Sequence, residues 1–393
     1  MDELLDDNTQ YMLDELDLSR KTLTVKNVNE MNLHNRHWIK KLSLNNNRID
    51  ELLLKYPPHL ELLTINSNNI TNMNDAIYLP NTLRELFISD NRLTVIDLSL
   101  LTNLYALDIS HNIITDVKIP PNLKYFVAEN NQLTKFPDIP NQTNQFNVFS
   151  VAHNLIDTLK DVIIWTDILD VTSNQLTVFD LSPMSIVTDL YMQDNDIYTV
   201  ISVPNSVKNW TCNSNRLRSI TLHDGLISVD VSNNNLTKCP AFPDTLETIN
   251  LSSNNIHELN QLPALLKEIN ISGNNIDDET IKTIISFYEL SGSNIKIIHD
   301  QDQEHDQDQD HDQDIYLDVD QQSELDDDNI AFKSYIAEDH DQEYQETIEL
   351  DMLSLNENSH KKKHKFKFTK NLFDQLSCID DNYIIVQNGR LEL

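Results

Sequence analysis

An eleven-residue pattern recurs twelve times along this 393-residue chain and constrains its fold more than any other feature. Its first clear copy, IKKLSLNNNRI at residues 39–49, reads apolar, two variable, apolar, one variable, apolar, two variable, Asn, one variable, apolar. The recurring asparagine returns at intervals of 19 to 23 residues, at Asn47, Asn68, Asn91, Asn112, Asn131, Asn154, Asn174, Asn195, Asn215, Asn234, Asn254 and Asn274. One such unit cannot bury its own apolar face, so the repeat predicts a stacked solenoid.

Within each unit, the residues five and three positions before the asparagine are apolar or small, as Leu42 and Leu44 are before Asn47. Side chains two positions apart in an extended segment point to the same side, so each pair predicts a short strand with a buried inner face. The asparagine amide carries both donors and an acceptor, which suits it to satisfying the backbone of the following turn. We therefore predict parallel strands followed by a structural ladder of stacked asparagines.

The pattern resembles the leucine-rich-repeat family, L-x-x-L-x-L-x-x-N-x-L, over about residues 13–276. Proline recurs just before the next strand, as in LPNTLREL (79–86) and IPPNLKYF (119–126), so the returns are expected to be short and extended. In this respect the repeats resemble the short class of bacterial type III secreted effectors. The richness in Asn, Ile and Asp also resembles the leucine-rich-repeat proteins of giant viruses. The resemblance implies an α/β horseshoe solenoid, with mostly parallel β structure on its concave face, that binds other proteins.

The boundaries of the solenoid follow from where the repeat becomes irregular. Residues 1–37 are expected to form an N-terminal cap region, where Lys21 stands in the place of the asparagine, and the twelve repeats occupy 38–276. Residues 277–298 are predicted to form a capping helix, begun by Asp277 or Asp278, and a last strand over NIKII.

The remaining chain divides by charge. Residues 299–360 carry 22 acidic residues and one lysine, a net charge of -21, and are expected to be disordered. Residues 361–393 begin with the basic run KKKHKFKF and end with a possible small hairpin at Asn388-Gly389. The acidic segment therefore carries most of the formal charge of -34.

Several classes of function are not expected from the composition. Abundant carboxylates would repel a phosphate backbone, so nucleic acid is not an expected partner. No apolar run approaches the roughly 20 residues that span a bilayer, and the start MDELLDDNTQYML lacks the features of a signal peptide. With only three cysteines as well, the chain is interpreted as an intracellular, cytoplasmic monomer.

Neither a cofactor nor a metal is expected. Only four glycines occur, and the usual phosphate-binding motifs are absent. His299, His305 and His311 stand among carboxylates, but their six-residue spacing in a low-complexity segment fixes no coordination geometry.

Two other classes of function remain as alternatives. Cys378-Ile-Asp380 matches the Cys-x-Asp nucleophile motif of the ubiquitin ligases found in some repeat-bearing effectors, although the segment after the acidic region is short for an activated thiol. A structural scaffold that self-associates is the other alternative. Cys212 and Trp210 are expected in the core.

The residues between and beside each apolar pair should point outward, onto the concave face. Apolar and aromatic side chains concentrate there in the middle of the repeat, although the core is already filled by the phased positions. Interleaved carboxylates suggest a protein partner with a basic, partly apolar patch. The predicted partner-binding residues are Phe87, Tyr105, Asp108, Tyr125, Val127, Val148, Ile168, Asp170, Asp189 and Tyr191.

Overall fold

The computed structural model describes residues 14–71, 78–141, 144–181, 184–290 and 295–300, together with the backbone of four strands within 347–392. The chain separates into two compact units, residues 1–312 and 313–393, and each is described here by itself.

A single sheet of 14 parallel strands runs through the first unit, with neighbours paired in register. Twelve of its strands belong to the twelve repeats, and one further strand is added at each end. The strands are β1 (Glu15–Asp17), β2 (Lys41–Ser43), β3 (Leu62–Thr64), β4 (Glu85–Phe87), β6 (Ala106–Asp108), β8 (Tyr125–Val127), β9 (Gln145–Ser150), β10 (Trp165–Asp170), β12 (Ile186–Tyr191), β14 (Asn209–Thr211), β15 (Ser228–Asp230), β16 (Thr248–Asn250), β17 (Glu268–Asn270) and β18 (Lys296–Ile298). The predicted parallel solenoid is confirmed.

The phased apolar positions form the inner face of this sheet. Leu107 and Ile109 are fully buried in the unit of Asn112, and Trp210 and Cys212 are buried in the unit of Asn215, as predicted. Burying one leucine or isoleucine side chain stabilises a fold by roughly 1.5–3 kcal/mol. Repeated through the stack, these side chains form one continuous core.

The asparagine ladder is present at all twelve positions. In a representative unit, Asn154 Oδ1 accepts a hydrogen bond from the Leu133 N–H of the preceding coil. Its Nδ2 donates to the carbonyl oxygens of Val151 in its own coil and of Ala128 in the preceding one. Each asparagine therefore connects two coils through their backbones, which satisfies buried polar groups that the turn leaves without strand partners.

The residue just before each asparagine has left-handed backbone geometry. Its φ lies between 50° and 63° at all twelve sites, for example 52° at His153 and 63° at Gly273. Asn, Ser, Asp, His and Gly occupy these positions, and short polar residues and glycine tolerate this region best. The turn after each of the twelve repeat strands therefore limits the residue types at two consecutive positions, the asparagine and the residue before it.

Among the described residues, the returns between β2 and β17 contain no α-helix. Two small parallel pairs form among them: β5 (Val95–Asp97) with β7 (Asp116–Lys118), and β11 (Val178–Asp180) with β13 (Thr199–Ser202). The return that follows β1 contains a six-residue helix, α1 (Val25–Glu30), whose N-terminus is capped by Thr24.

Both ends of the solenoid agree with the expected caps. In the first return, the Lys21 and Leu23 N–H groups donate to Asn47 Oδ1, so β1 extends the ladder although it lacks an asparagine of its own. At the other end, α2 (Asp278–Leu290) begins after Asp277, whose carboxylate accepts the Thr280 N–H. Strand β18 pairs with β17 after this helix, within the stretch where the sequence predicts a last strand.

In the second unit, β19 (Thr347–Met352) pairs antiparallel with β20 (His364–Thr369), and β21 (Ile385–Gln387) pairs with β22 (Arg390–Glu392). The second pair forms around the Asn-Gly where the sequence predicts a hairpin. Strand β19 lies inside the segment predicted to be disordered. Its sequence TIELDM alternates polar and apolar residues, which is a strand pattern. In the prediction of disorder, the acidic composition of the segment outweighed this pattern. Residues 301–346 lie outside the described part of the chain.

Candidate protein-binding face

The predicted partner-binding side chains belong to the outer face, the side of the 14-stranded sheet that points away from the core. Two rows cross this face at right angles to the strands, because neighbouring strands pair in register and lie about 4.8 Å apart. The first row runs through Ala106, Tyr125, Val148, Ile168 and Asp189. The second row runs through Phe87, Asp108, Val127, Ser150, Asp170 and Tyr191.

The structure therefore brings the predicted residues together, but it corrects their exposure. Phe87 and Val127 are buried, with only 6% and 5% of their surface accessible, and Asp108 and Asp189 are each 5% accessible. In the second row the first four members are buried, whereas Asp170 and Tyr191 are half-buried. Phe87 and Val127 consequently add little apolar surface for a partner.

The central patch is defined as four residues that keep apolar surface in the middle of this face: Tyr105, Tyr125, Val148 and Ile168. Tyr105 is 41% exposed, and the other three are half-buried. The Tyr105 and Tyr125 rings meet edge to face with centroids 5.4 Å apart, an arrangement that holds both rings in place. Burial, with a smaller contribution from Tyr105, raises the pKa of Tyr125, so its hydroxyl stays neutral.

Carboxylates surround the central patch. Asp108 accepts hydrogen bonds from the Ser110 N–H at 2.9 Å and the Ser110 hydroxyl at 2.6 Å, while Asp189 accepts one from the Asn209 amide. Burial raises the pKa of both aspartates, and the bonds from Ser110 and Asn209 oppose that change. The middle of the outer face is therefore acidic as well as partly apolar.

Glu129 is a further acidic group that the sequence reasoning missed. It is 7% exposed, and its Oε1 accepts a hydrogen bond from the Ser150 hydroxyl. Burial, followed by repulsion from Asp170 and Asp108, raises the pKa of Glu129 to about 8. A signal was available: among the residues two before the ladder asparagines, Glu129 is the only charged one.

Glu129 belongs to a third row on the outer face, followed by Ala152, Thr172, Gln193 and Asn213. Backbone hydrogen bonds between neighbouring coils fix this order, such as His153 N–H to the Thr172 carbonyl and Ser173 N–H to the Gln193 carbonyl. Within the described residues, Thr172 Oγ1, Gln193 Oε1 and Asn213 Oδ1 are shielded from solvent without a hydrogen-bond partner. Three consecutive coils thus present unsatisfied oxygens in one row.

Towards the N-terminus, the outer face carries charges of both signs. A shallow groove of about 350 Å³ lies over β1 to β6 and reaches Tyr105. Its charges are mixed and partly paired, as in the Lys40–Glu61 ion pair at 3.2 Å. The combination of several carboxyl groups with apolar surface is therefore a property of the middle of the sheet.

The described part of the chain contains no group of three or more His, Cys, Asp and Glu side chains placed to hold a metal ion. Among the helices in these ranges, none is both long enough and apolar enough to cross a membrane. Burial raises the pKa of Cys212, which fits a core residue, whereas Cys378 lies outside the described residues.

Comparison with known proteins agrees with the repeat. A family model described as Leucine Rich Repeat matches residues 82–104, the unit around Asn91. Podocan of Mus musculus is 28% identical over 185 residues, which are 42% of this chain and 30% of podocan. The chain thus spans less than a third of that relative.

Solved structures show similar folds at low identity. YopM, described as a leucine-rich effector protein from Yersinia pestis, is 22% identical over 61% of this chain and 73% of its own, with a TM-score of 0.47. The LRIM1/APL1C complex matches at 21% identity over 66% of this chain and 46% of that chain, with a TM-score of 0.48. The resemblances to the short effector repeats and to giant-virus proteins both stay predictions.

Proposed function

We propose that this leucine-rich-repeat solenoid is a non-catalytic protein-binding module whose partner docks on the outer face over the central patch. The observation that carries the proposal is the half-exposed apolar row of Tyr125, Val148 and Ile168. These side chains point away from a core that other positions already fill. Contiguous apolar surface of this kind is typical of contact sites in soluble proteins.

The surroundings of the patch indicate the kind of partner. Asp108, Glu129, Asp170 and Asp189 lie around it, so a complementary surface would combine apolar and basic side chains. Fourteen strands at about 4.8 Å give a face on the order of 60 Å long, which is enough for a folded domain. A small metabolite would need far less surface.

A set of serine substitutions tests the proposal. Tyr105→Ser, Tyr125→Ser and Ile168→Ser together remove most of the apolar surface of the central patch. The matched control carries Leu100→Ser and Ile201→Ser, which are 72% and 63% exposed and lie outside the long sheet. Phe87 is left unchanged because it is buried.

The measurement has two stages. Proteins captured by the full chain are identified, and the dissociation constant of each purified candidate is then measured for the wild type and both variants. We expect the patch variant to weaken binding at least tenfold, while the control binds like the wild type. Equal binding by all three proteins would contradict the proposal, and self-association without any other partner would favour the scaffold alternative.

A further inference from the structure

The groove over β1 to β6 adjoins the central patch through Tyr105, which belongs to both. Three basic and three acidic side chains line its volume of about 350 Å³, together with Leu62 and Tyr105. Tyr105 follows Arg84 directly across the sheet, since its N–H donates to the Arg84 carbonyl oxygen at 2.7 Å. A partner that docks on the central patch therefore also reaches the groove.

The charged side chains of the groove differ in whether they are already engaged. Lys40 and Glu61 form an ion pair at 3.2 Å, and Asp14 lies beyond Lys40, on the side away from Arg84. Among the described residues, neither the Lys41 ammonium group nor the Arg84 guanidinium group forms an ion pair or a side-chain hydrogen bond. The groove thus keeps two cations available for a ligand.

These two cations stand on either side of Leu62. Lys41, Leu62 and Glu85 pair across three neighbouring strands, and Arg84 immediately precedes Glu85. The backbones of Lys41 and Arg84 are therefore about 10 Å apart, a distance over which two such long side chains can meet at one group. Both side chains are exposed, whereas Leu62 and Glu85 are half-buried, so an approaching ligand meets the cations first.

Glu85 is the carboxyl group of the groove that lies nearest to both cations in the register of the sheet. Burial raises its pKa, and the positive charges of Lys41 and Arg84 act in the opposite direction, so both cations influence the same part of the groove. A further carboxylate placed between Lys41 and Arg84 is attracted by two charges and repelled by one. Removal of the Glu85 charge should therefore strengthen the binding of such a carboxylate.

We propose that the groove receives an aspartate or glutamate side chain of the partner, whose carboxylate is held by Lys41 and Arg84 above Leu62. The proposal rests on the protein-binding function above and adds a second contact to it. A guanidinium group donates two parallel hydrogen bonds to one carboxylate, and an ammonium group donates a third. Leu62 supplies apolar surface for the methylene groups of the bound side chain.

This contact fixes the direction in which the partner lies along the sheet. The middle of the outer face carries Asp108, Glu129 and Asp170 and suits basic side chains, whereas the groove suits an acidic one. Complementary charges across an interface fix its register and disfavour wrong arrangements. A partner docked in the reverse direction places its basic side chains against Lys41 and Arg84, where they are repelled.

The probe for the test is the capped peptide acetyl-(Glu-Leu)3-amide, with acetyl-(Gln-Leu)3-amide as its uncharged match and inorganic phosphate as a small anion without apolar surface. Binding to the full chain is measured by titration calorimetry at pH 7. The protein variants are Lys41→Gln, Arg84→Gln and Glu85→Gln. The matched control is Lys208→Gln, because Lys208 is exposed and precedes β14 as Arg84 precedes β4, but lies outside the groove. Circular dichroism verifies that each variant is folded.

We expect Lys41→Gln and Arg84→Gln each to weaken binding of the acidic peptide about threefold to fivefold, as for a partly exposed ion pair. Because two such contacts combine, the wild type should bind the acidic peptide about tenfold more tightly than the uncharged one. Phosphate should bind more weakly than the acidic peptide. Glu85→Gln should strengthen binding of the acidic peptide about threefold, since one repulsive charge is removed, and Lys208→Gln should leave it unchanged.

Absence of binding by the acidic peptide, or equal binding of the acidic and uncharged peptides, would overturn the carboxylate proposal. So would phosphate binding as tight as that of the acidic peptide, or acidic-peptide binding that neither Arg84→Gln nor Glu85→Gln changes. The proposed function would still stand in each case, provided that the central-patch variant loses its partner. Unchanged partner binding by the central-patch variant would refute the proposed function instead, whatever the peptides do. The two failures are therefore distinguishable.

Discussion

Replacement of Asn154 by alanine should destabilise the solenoid through its backbone rather than through its core. The side chain of Asn154 accepts one hydrogen bond, from the Leu133 N–H at 2.9 Å. It donates to the carbonyl oxygens of Ala128 at 2.9 Å and of Val151 and Ala152 at 3.0 Å. Alanine removes all of these contacts at a site where water cannot readily replace them, since Asn154 is 5% exposed.

The expected cost follows from the groups left without partners. The Leu133 N–H is left without a partner, which costs about 1–3 kcal/mol, and the carbonyls of Ala128 in the preceding coil and Val151 in the same coil each lose one bond worth about 1 kcal/mol. The free energy of unfolding should therefore fall by about 3–5 kcal/mol. Asn274→Ala should cost less, because Asn274 is in the last coil and is partly exposed to solvent.

Urea unfolding followed by circular dichroism measures this difference. Asn205→Ala serves as the control, since Asn205 is exposed and lies outside the ladder, and it should change the stability by at most about 0.5 kcal/mol. A loss below about 1 kcal/mol for Asn154→Ala would refute the reasoning, because the ladder would then contribute no more than an ordinary surface residue.

Three further predictions follow from the same structure. Ser173→Val should lower the free energy of unfolding by about 1–2 kcal/mol in urea titrations, because Ser173 has a φ of 50°, which a β-branched residue tolerates poorly. The control Ser173→Gly should stay within about 0.5 kcal/mol of the wild type. Glu129→Gln should raise the free energy of unfolding by about 2–4 kcal/mol at pH 8 and by progressively less towards pH 5. Because the pKa of Glu129 is raised in the folded chain, the unfolded chain loses this proton at a lower pH, and rising pH therefore favours the unfolded wild type. Equal gains in thermal unfolding at both pH values would contradict this. Cys212 should react with a thiol reagent only after unfolding, and Cys239, whose pKa burial raises to about 11, should react slowly in the native state; fast native labelling at Cys212, located by peptide mapping, would show that its strand opens readily.

Much of the fold could be predicted because the repeat specifies both side-chain direction and turn chemistry. The apolar pairs fixed which face of each strand is buried, and the asparagines located every turn. The proline-bearing returns predicted that no long helix separates the repeats, and in the described residues no α-helix lies between β2 and β17. The capping residues Asp277 and Asp278 likewise predicted α2, which packs against the core through Ile281, Ile284, Ile285 and Tyr288.

The candidate site was harder to predict from the sequence, since a residue pattern gives the direction of a side chain but not how far its neighbours cover it. Phe87 and Val127 both stand in the second row of the outer face, yet both are buried. Glu129 was missed because the third row lies just beyond the strands, at positions that the apolar pattern does not mark. Its burial depends on Ser150 one coil further, a contact that only the register of the stack defines.

Photo-crosslinking from two tyrosine positions tests the central claim most directly. A photoreactive phenylalanine analogue placed at Tyr105 samples the outer face, while the same analogue at Tyr198 samples the return beside β13; these tyrosines are 41% and 55% exposed. With the identified partner present, we predict a covalent adduct from position 105 and none from position 198. An adduct from position 198 alone would contradict binding on the outer face.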